Sequence, residues 1–341
     1  MVRYVLGIDG GGTGTRAAIL DLSGHLCGQG ESGSSNYDDV GVAAARAAIL
    51  EAVTRARREA GLGPAPFVTA FLGLGGIASQ ADRDVILGIA SDLALAPAGR
   101  IGVDHDIRIA LAGGLSGRPG IVLIAGTGSS CYGRNSAGES WRSGGWGPLV
   151  ADEGSGYWLG IESIKAAVRA YDGRAEPTVL LPRVQAALAL PHMDDLLRHL
   201  YVRGMPRMEI AALGPVVIQA AQEDDATATA ILGRGCQELA DCVLAVARWL
   251  GMADTSSELA LTGGVFRAGE VVIGPLRQAV ADRLPKCRVG LAECAPVMGA
   301  ALLALELLGI LPSAGALEAL RQTIATGSPA PHVRLHPSPT G

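Results

Sequence analysis

Two short glycine-rich segments constrain this chain more than any other feature. The first is residues 9–15, Asp-Gly-Gly-Gly-Thr-Gly-Thr, and the second is residues 126–129, Gly-Thr-Gly-Ser. Each follows a short apolar run, residues 4–8 and 121–125, and each precedes residues typical of a further strand. A glycine loop between two strands brings backbone N–H groups beside an anion with no Cβ in the way. One such loop in each half of the chain predicts two related domains that hold a nucleoside triphosphate between them.

The composition indicates a globular protein and excludes several kinds of partner. The 341 residues suffice for two ordinary domains, and 49% of them are hydrophobic. The net charge of -5 and the absence of a basic run argue against nucleic acid as a partner. No apolar stretch reaches the roughly 18 residues that span a membrane, and no signal-peptide pattern precedes the first strand. We therefore expect a cytoplasmic protein with small-molecule partners, no nucleic acid and no membrane partner.

The cysteines favour a reducing compartment. None of them forms a C-x-x-C pair or lies at zinc spacing from a histidine. We interpret them as reduced, mostly buried thiols. The six are Cys27, Cys131, Cys236, Cys242, Cys287 and Cys294.

The order of the predicted elements places the chain in the α/β class. Three strands open the chain as an antiparallel unit, which differs from the strand-to-helix start of a dinucleotide-binding unit. After a loop at 117–120, strands at 121–125 and 129–134 repeat the first hairpin. Residues 155–250 are predicted to be largely helical, and strands then alternate with helices to about residue 308. Asp224 or Asp225 is the predicted cap of the long helix that runs to Trp249, and Gly251 is its predicted stop. The expected fold therefore has mixed sheets flanked by helices.

The same pattern suggests domain boundaries. We predict an N-terminal domain over 1–116 and a C-terminal domain over 117–310, with a helical insertion at about 160–222. Residues 311–341 are predicted to form a C-terminal helix and a tail that can pack back on the N-terminal domain. The tail from Ser328, with four prolines, is predicted to be loosely ordered.

The first glycine loop lacks the lysine of a Walker A motif. Phosphate contacts therefore fall to the backbone of Gly11 and Gly12 and to the hydroxyls of Thr13 and Thr15. Asp9, at the end of the first strand, is predicted to hold Mg²⁺, partly through water. The alternative is a hairpin turn that binds nothing, although such a turn needs only one or two glycines.

The second loop, taken by itself, is weaker evidence for phosphate binding than the first. Gly126 and Thr127 are predicted to face a phosphate from the other domain. A structural tight turn is an equally good interpretation of these residues. The position of the loop behind an apolar strand, as in the first hairpin, favours the binding role.

Five motifs together resemble the N-acetylglucosamine kinase family, among the BadF/BadG-type ATPases of the superfamily that includes actin, Hsp70 and sugar kinases. The resemblance extends to about residue 310 and keeps the order of the family's motifs. It implies two ribonuclease-H-like domains around a cleft, ATP and Mg²⁺ as cofactors, and a homodimer. The motifs are Asp9-Gly-Gly-Gly-Thr, Gly126-Thr-Gly-Ser, Gly144-Gly-Trp-Gly, Asp152-Glu-Gly-Ser-Gly-Tyr-Trp and Leu261-Thr-Gly-Gly-Val.

A kinase of this type needs a carboxylate that accepts the proton of the attacking hydroxyl. Asp106 follows a predicted strand and opens a predicted helix, and the resemblance implies the same residue. Asp104 is the rival, and a helix cap is the alternative role for Asp106. We interpret His105 as a packing or surface group.

The acceptor site is predicted around an aromatic loop at 141–147. An aromatic face with fixed hydrogen-bonding groups is typical of carbohydrate sites, although Trp146 and Trp158 could instead be core aromatics, an interpretation that we favour for Trp158. The resemblance implies that the nucleoside lies against Gly263 and Gly264, where a plain strand-to-helix turn is the alternative. It implies sugar contacts from Asn36, Asp106, Gly128, Ser129, Gly145, Trp146, Gly147 and Asp152.

These features predict ATP-dependent phosphorylation of an amino sugar, with N-acetylglucosamine 6-phosphate as the product. Glucosamine and N-acetylmuramic acid are alternative substrates. A dehydratase-activating ATPase is a different alternative, but it needs paired cysteine ligands for a shared iron–sulfur cluster. A sugar-sensing regulator would carry a DNA-binding segment before the first strand, where we find no room for one.

Overall fold

Two five-stranded mixed sheets with the same topology organise the chain. The structure, a computed structural model, describes residues 3–325, so the tail from Ser328 lies outside the described residues. The first sheet has the order β3-β2-β1-β4-β5. Its strands are β1 (Tyr4–Gly10), β2 (Thr15–Asp21), β3 (Leu26–Ser32), β4 (Thr69–Leu74) and β5 (Ile101–His105).

The second sheet repeats this arrangement in the other half of the chain. Its strands are β6 (Gly120–Ala125), β7 (Ser129–Arg134), β8 (Ser140–Gly144), β9 (Ser257–Thr262) and β10 (Cys287–Leu291). Their order is β10-β9-β6-β7-β8, so β6 takes the place of β1 and β9 that of β4. In both sheets the first strand pairs antiparallel with the second strand and parallel with the fourth. The predicted repeat and the predicted α/β class are confirmed.

Helices cover both sheets. They are α1 (Tyr37–Val40), α2 (Val42–Glu59), α3 (Gln80–Asp92), α4 (Asp106–Gly114), α5 (Gly156–Tyr171), α6 (Leu180–Ala187), α7 (Arg207–Ala211), α8 (Gly214–Gln222), α9 (Ala226–Trp249), α10 (Glu270–Ala281), α11 (Pro296–Glu306) and α12 (Ala314–Ala325), with short 3₁₀ or π turns at Met193–Asp195, Arg198–Val202 and Gly264–Ala268. Within residues 3–325, none of these helices is long and apolar enough to cross a membrane.

Small residues let helix α2 lie very close to the first sheet. Its buried stripe is mostly alanine, and it faces two glycines of β3. A Cβ on Gly28 would come within 2.4 Å of the Ala56 carbonyl oxygen, and one on Gly30 within 2.1 Å of the Ala52 oxygen. Any larger residue at these glycines would push the helix away from the sheet.

Helices α4 and α11 cover the opposite face of the first sheet. A Cβ on Gly299 of α11 would lie 2.0 Å from the Ile109 carbonyl oxygen of α4, and one on Gly7 of β1 would lie 2.2 Å from the backbone nitrogen of Ala301. Helix α11 therefore packs in the core of the first sheet, although its residues fall within 117–310, the range predicted for the C-terminal domain. Leu320 of α12 packs in the same cluster. The domain boundaries themselves stay a prediction.

The long helix α9 packs behind the second sheet. The side chain of Asp225 caps its start and accepts a hydrogen bond from the Ala228 N–H at 2.9 Å. Of the two predicted caps, Asp224 and Asp225, the structure selects the second. Gly251, with φ of 66°, follows the end of the helix as expected. Helices α5 to α8 form the insertion between β8 and α9.

Candidate active site

The loop between β1 and β2 leaves backbone N–H groups free. The Gly11 N–H donates to the Gly14 carbonyl at 3.0 Å and closes the turn. Within residues 3–325, neither the Gly12 N–H nor the Thr13 N–H donates to another group, and the Thr13 side chain is exposed. A Cβ on Gly11 would meet no atom of the described residues within 4 Å. The loop can therefore accept an anion, as the sequence predicts.

Thr15 lies differently from the prediction. Its hydroxyl is buried and donates to the Gly33 carbonyl at 2.7 Å, so its proton is already in use. The Ser34 hydroxyl donates to the Gly11 carbonyl at 3.1 Å in the same region. Thr15 thus supports the contact between the glycine loop and residues 33–36, and its contact with a phosphate stays a prediction.

Asp9 carries an ionisable carboxyl at the end of β1. One Arg16 nitrogen lies 3.9 Å away, and a fifth of the Asp9 side chain is exposed. Burial raises the pKa of Asp9 to about 6; Arg16 opposes this rise and Asp106 adds to it. A second cation beside this carboxyl would stabilise its ionised form, which fits a site for Mg²⁺. No cluster of three or more metal-binding side chains occurs within residues 3–325, so such an ion would take most of its ligands from phosphate and water.

Asp106 is the first residue of α4 and faces the first loop. A Cβ built on Gly75 would lie 3.3 Å from Oδ2 of Asp106 and 3.6 Å from the Gly11 Cα. No side chain within the described residues donates a hydrogen bond to this carboxylate. Burial is the largest cause of its raised pKa. Within the described residues only backbone N–H groups, chiefly that of Ile107, donate to it. A half-buried carboxylate with a raised pKa and no positively charged hydrogen-bond partner is suited to accept a proton.

Asp104, the rival base, is held by two arginines. Arg83 and Arg108 donate to its two oxygens at 2.7 and 2.8 Å. Burial would raise the pKa of Asp104, but the hydrogen bonds from Arg108 and Arg83 outweigh it and hold the pKa below its ordinary value. This carboxylate therefore has a structural role.

The side chain of His105, and not that of Asp106, caps the start of α4. Its Nδ1 accepts from the Arg108 N–H at 3.1 Å, and its ring meets the edge of Tyr132 at 5.0 Å between centroids. Burial lowers the pKa of His105. The interpretation of His105 as a packing group holds, and the alternative that Asp106 is the cap does not.

The second loop is fixed from behind by the start of α5. The Gly126 carbonyl accepts from the Gly156 N–H at 2.8 Å, and the Thr127 carbonyl accepts from the Tyr157 N–H at 3.2 Å. Within the described residues, the N–H groups of Thr127 and Gly128 donate to nothing. The carbonyls thus point towards the helix, and two N–H groups remain for an anion.

The predicted nucleoside turn lies beside this loop. Gly263 follows β9, which pairs with β6, and its φ is 114°. A Cβ on Gly263 would lie 2.3 Å from the carbonyl oxygen of Ala125, the residue before Gly126. At Gly264, no atom between residues 3 and 325 lies within 4 Å of the Cβ position. Only glycine fits the first position, and the second is open.

Asp152 lies under the second loop. The Ser129 N–H donates to its Oδ1 at 3.2 Å, and Arg207 donates to its Oδ2 at 2.5 Å. A Cβ on Gly128 would lie 2.8 Å from the same Oδ2. Three predicted sugar contacts, Gly128, Ser129 and Asp152, are thus brought together. Arg207 was not predicted, because 55 residues separate it from Asp152 in the chain.

The predicted sugar loop is partly a strand. Residues 140–144 form the edge strand β8, and the irregular segment begins only at Gly145, whose φ is 71°. Trp146 is 70% exposed, and the Arg142 guanidinium lies 5.0 Å from its ring, so Trp146 is not a core residue. Gly147, with φ of 87°, ends the turn. Trp158, in contrast, packs against the core of the second sheet, as expected.

Asn36 and Asp106 lie on the two sides of the Gly75–Gly76 turn. A Cβ on Gly76 would come within 2.7 Å of Oδ1 of Asn36. The Asn36 Nδ2 donates to Asp39 at 2.6 Å, but no group in the described part of the chain donates to its buried Oδ1. An orphaned acceptor of this kind suits a ligand hydroxyl.

The fold and the site together define a class, the actin-like ATPases of the sugar-kinase type. A solved structure from Chromobacterium violaceum, described as a putative N-acetylglucosamine kinase, is 30% identical, covers 89% of this chain and 99% of its own, and superimposes with a TM-score of 0.68. A ROK-family glucokinase from Streptomyces griseus, at 17% identity, shares the fold with a TM-score of 0.53 over 94% of this chain and 99% of its own.

The chain belongs to the BadF/BadG/BcrA/BcrD ATPase family, whose sequence profile matches residues 6–304. An N-acetylmuramic acid/N-acetylglucosamine kinase from Clostridium acetobutylicum is 34% identical over 288 residues, which are 84% of this chain and 94% of the relative. An N-acetyl-D-glucosamine kinase from Dictyostelium discoideum is 31% identical over 316 residues, 88% of this chain and 97% of the relative.

Proposed function

We propose that the protein transfers the γ-phosphoryl group of ATP to the 6-hydroxyl of N-acetylglucosamine, with Asp106 as the proton acceptor. The observation that carries the proposal is the position of the Asp106 carboxylate beside the backbone of Gly11, where no side chain of the described residues donates to it. It lies at the loop that can hold a phosphate, and Asn36 presents an unused acceptor on the other side of the same turn.

The class of reaction agrees with the relatives. The two relatives that match most of this chain are named as kinases of N-acetylglucosamine, one of them also of N-acetylmuramic acid. A protein named glucosamine kinase, from Vibrio cholerae, is 33% identical over 172 residues, 50% of this chain and 57% of the relative. ATP-dependent phosphorylation of an amino sugar, as predicted from the sequence, is therefore confirmed as the class of activity. The choice of N-acetylglucosamine within that class is our proposal.

Asp106 acts on the acceptor hydroxyl. Its raised pKa favours proton uptake as the oxygen attacks the phosphorus. The free N–H groups of Gly12, Thr13, Thr127 and Gly128 would hold phosphate oxygens in place of a lysine. Positioning and charge neutralisation supply most of the acceleration in such reactions.

Asp9 would hold the magnesium ion of Mg·ATP. A divalent cation supplies neutralisation of the charge on the phosphates. The carboxyl of Asp9, with its raised pKa and only a distant arginine, lacks a full positive partner of its own. This donor fits Mg²⁺, which commonly binds one or two carboxylates and keeps several waters.

We also propose a homodimer in the cytoplasm. The location is supported by six cysteines that are all free thiols. The dimer is what the resemblance to the kinase family implies. Light scattering on the purified protein measures the mass of the particle, and a monomer at micromolar concentration would reject the dimer.

A coupled assay of ADP release with a panel of amino sugars tests the function. We expect release with N-acetylglucosamine to exceed release with glucosamine and N-acetylmuramic acid, and the product to be the 6-phosphate. A preference for another amino sugar would correct the substrate. No sugar-stimulated ADP release from any hexosamine by the folded protein would overturn the kinase assignment.

A further inference from the structure

One ion pair joins the helical insertion to Asp152, beside the second glycine loop. Arg207, the first residue of α7, donates to Oδ2 of Asp152 at 2.5 Å. The Asp152 side chain is only 3% exposed, whereas that of Arg207 is 45% exposed. The Ser129 N–H is the only other donor to this carboxylate within residues 3–325. Burying a carboxylate without a charged partner costs free energy, and Arg207 is the charged partner that stabilises the buried carboxylate of Asp152.

The backbone at Asp152 adds a second constraint. Its φ is 68°, in the left-handed region that few residues other than glycine adopt. Short polar side chains tolerate this region best. The two bonds to the carboxylate, one to each oxygen, hold the side chain in a single direction from this unusual backbone.

The pair also lies directly on the second glycine loop. A Cβ on Gly128 would come within 2.4 Å of an Arg207 nitrogen and within 2.8 Å of Oδ2 of Asp152. The next residue, Met208, accepts a hydrogen bond from the Thr127 hydroxyl at 3.4 Å. Two consecutive residues of α7 thus contact a proposed sugar ligand and a proposed phosphate ligand.

We infer that Arg207 is a positioning residue for the sugar, acting through Asp152; this inference rests on the proposed function. An ionised carboxylate offers about four acceptor sites, and Ser129 and Arg207 occupy one on each oxygen. The remaining sites are held in a fixed direction for hydroxyl groups of the sugar. Arg207 itself does not touch the reacting atoms, so its loss weakens sugar binding more than it slows chemistry.

The first test replaces the guanidinium. We expect Arg207→Met to raise the KM for N-acetylglucosamine about ten- to hundredfold, the range of a charge-assisted hydrogen bond. The kcat and the KM for ATP should change less than about threefold. Arg207→Lys should restore part of the affinity, since the charge returns without the planar fork. Arg203→Met, an exposed arginine of the same insertion, is the matched control and should leave all constants unchanged.

A double-mutant cycle separates positioning from general structural support. Asp152→Asn suits the positive φ and removes the charge. In that background, Arg207→Met should add less than about twofold to the sugar KM, because Arg207 acts through Asp152. Removal of both charges also leaves no buried ion alone, so the double variant stays folded even if Arg207→Met is unstable.

The outcomes separate this inference from the function it rests on. If the wild-type protein phosphorylates no amino sugar, the proposed function fails. If the wild-type protein is active and Arg207→Met keeps its sugar KM, only the role of Arg207 is overturned. Fully additive effects in the cycle would overturn it as well.

Discussion

Arg108 donates to Asp104 at 2.8 Å from the same turn that carries Asp106. The guanidinium neutralises one aspartate and leaves its neighbour two residues further on without a side-chain partner. This difference in partners, more than any difference in position along the chain, assigns the two carboxylates to different roles.

The first prediction concerns these two aspartates. Asp106→Asn should lower kcat at least about a hundredfold, because the amide cannot accept the hydroxyl proton. The Kd for ATP should stay within about twofold of the wild-type value, measured by titration. Turnover is followed by the coupled assay.

Asp104→Asn is the matched control. It breaks the pairs with Arg83 and Arg108 and should lower the free energy of unfolding by about 1–3 kcal/mol. Its kcat should exceed that of Asp106→Asn by far. An active Asp106→Asn enzyme would show that another group is the base.

The second prediction concerns the stability cost of Asp9. Its pKa is raised from 3.8 to about 6, so the folded state binds the proton more tightly than the unfolded state does. The stabilising protonation is complete below pH 3.8 and is lost as the pH rises through 6. Asp9→Asn should therefore raise the free energy of unfolding at pH 7, without Mg²⁺, by about 1–3 kcal/mol.

Thermal unfolding in EDTA between pH 4 and pH 8 measures this effect. The advantage of Asp9→Asn over the wild-type protein should shrink towards pH 4, while its turnover with Mg·ATP is lost at every pH. Equal stability of the two proteins at pH 7 would contradict the raised pKa.

The third prediction links pH to magnesium. Because the proton and Mg²⁺ compete for the Asp9 carboxyl, kcat/KM for ATP should fall as the pH drops below about 6. A tenfold higher Mg²⁺ concentration should move this acid limb to lower pH. If the acid limb stays at the same pH at the higher Mg²⁺ concentration, the titrating group is not Asp9 but another residue, such as Asp106.

The fourth prediction concerns the turn between the base and Asn36. A methyl group on Gly76, whose φ is 94°, would lie 2.7 Å from the Asn36 amide oxygen. Gly76→Ala should raise the sugar KM about tenfold, because Asn36 must move away from the cleft. The KM for ATP should remain nearly constant.

Gly117→Ala is the control for this substitution. Its φ is 82°, but no atom of the part of the chain that the structure describes lies within 4 Å of its Cβ position. The two variants should lose similar stability, about 1 kcal/mol, through the strained backbone. A similar rise in sugar KM in both variants would mean that Gly76 acts through stability alone.

The sequence predicts most of the framework because its signals are local. Glycine loops, apolar strands and the cap at Asp225 each involve a few neighbouring residues. The edge strand β8 escapes prediction because Ser140–Gly144 is exposed or half-buried along its length and shows no alternation. Helix α11 is apolar on nearly every side, so its pattern does not reveal which sheet it covers.

The site is less predictable because its details depend on direction and on distant partners. Thr15 lies in a motif that suits phosphate, yet its position on β2 turns the hydroxyl towards Gly33. Asp104 and Asp106 look alike in the sequence, and only the folded positions of the arginines separate them. The partnership of Arg207 with Asp152 carries no local signal at all.

The position of α11 also affects how the protein is made. Residues 296–306 cover one face of a sheet that begins at Tyr4. A nascent chain that has left the ribosome only to residue 250 exposes Val5, Leu20 and Phe71 on a half-covered sheet. The first strands to be synthesised therefore complete their core only after residue 306 has been added, so the folding of this sheet is coupled to nearly complete synthesis of the chain.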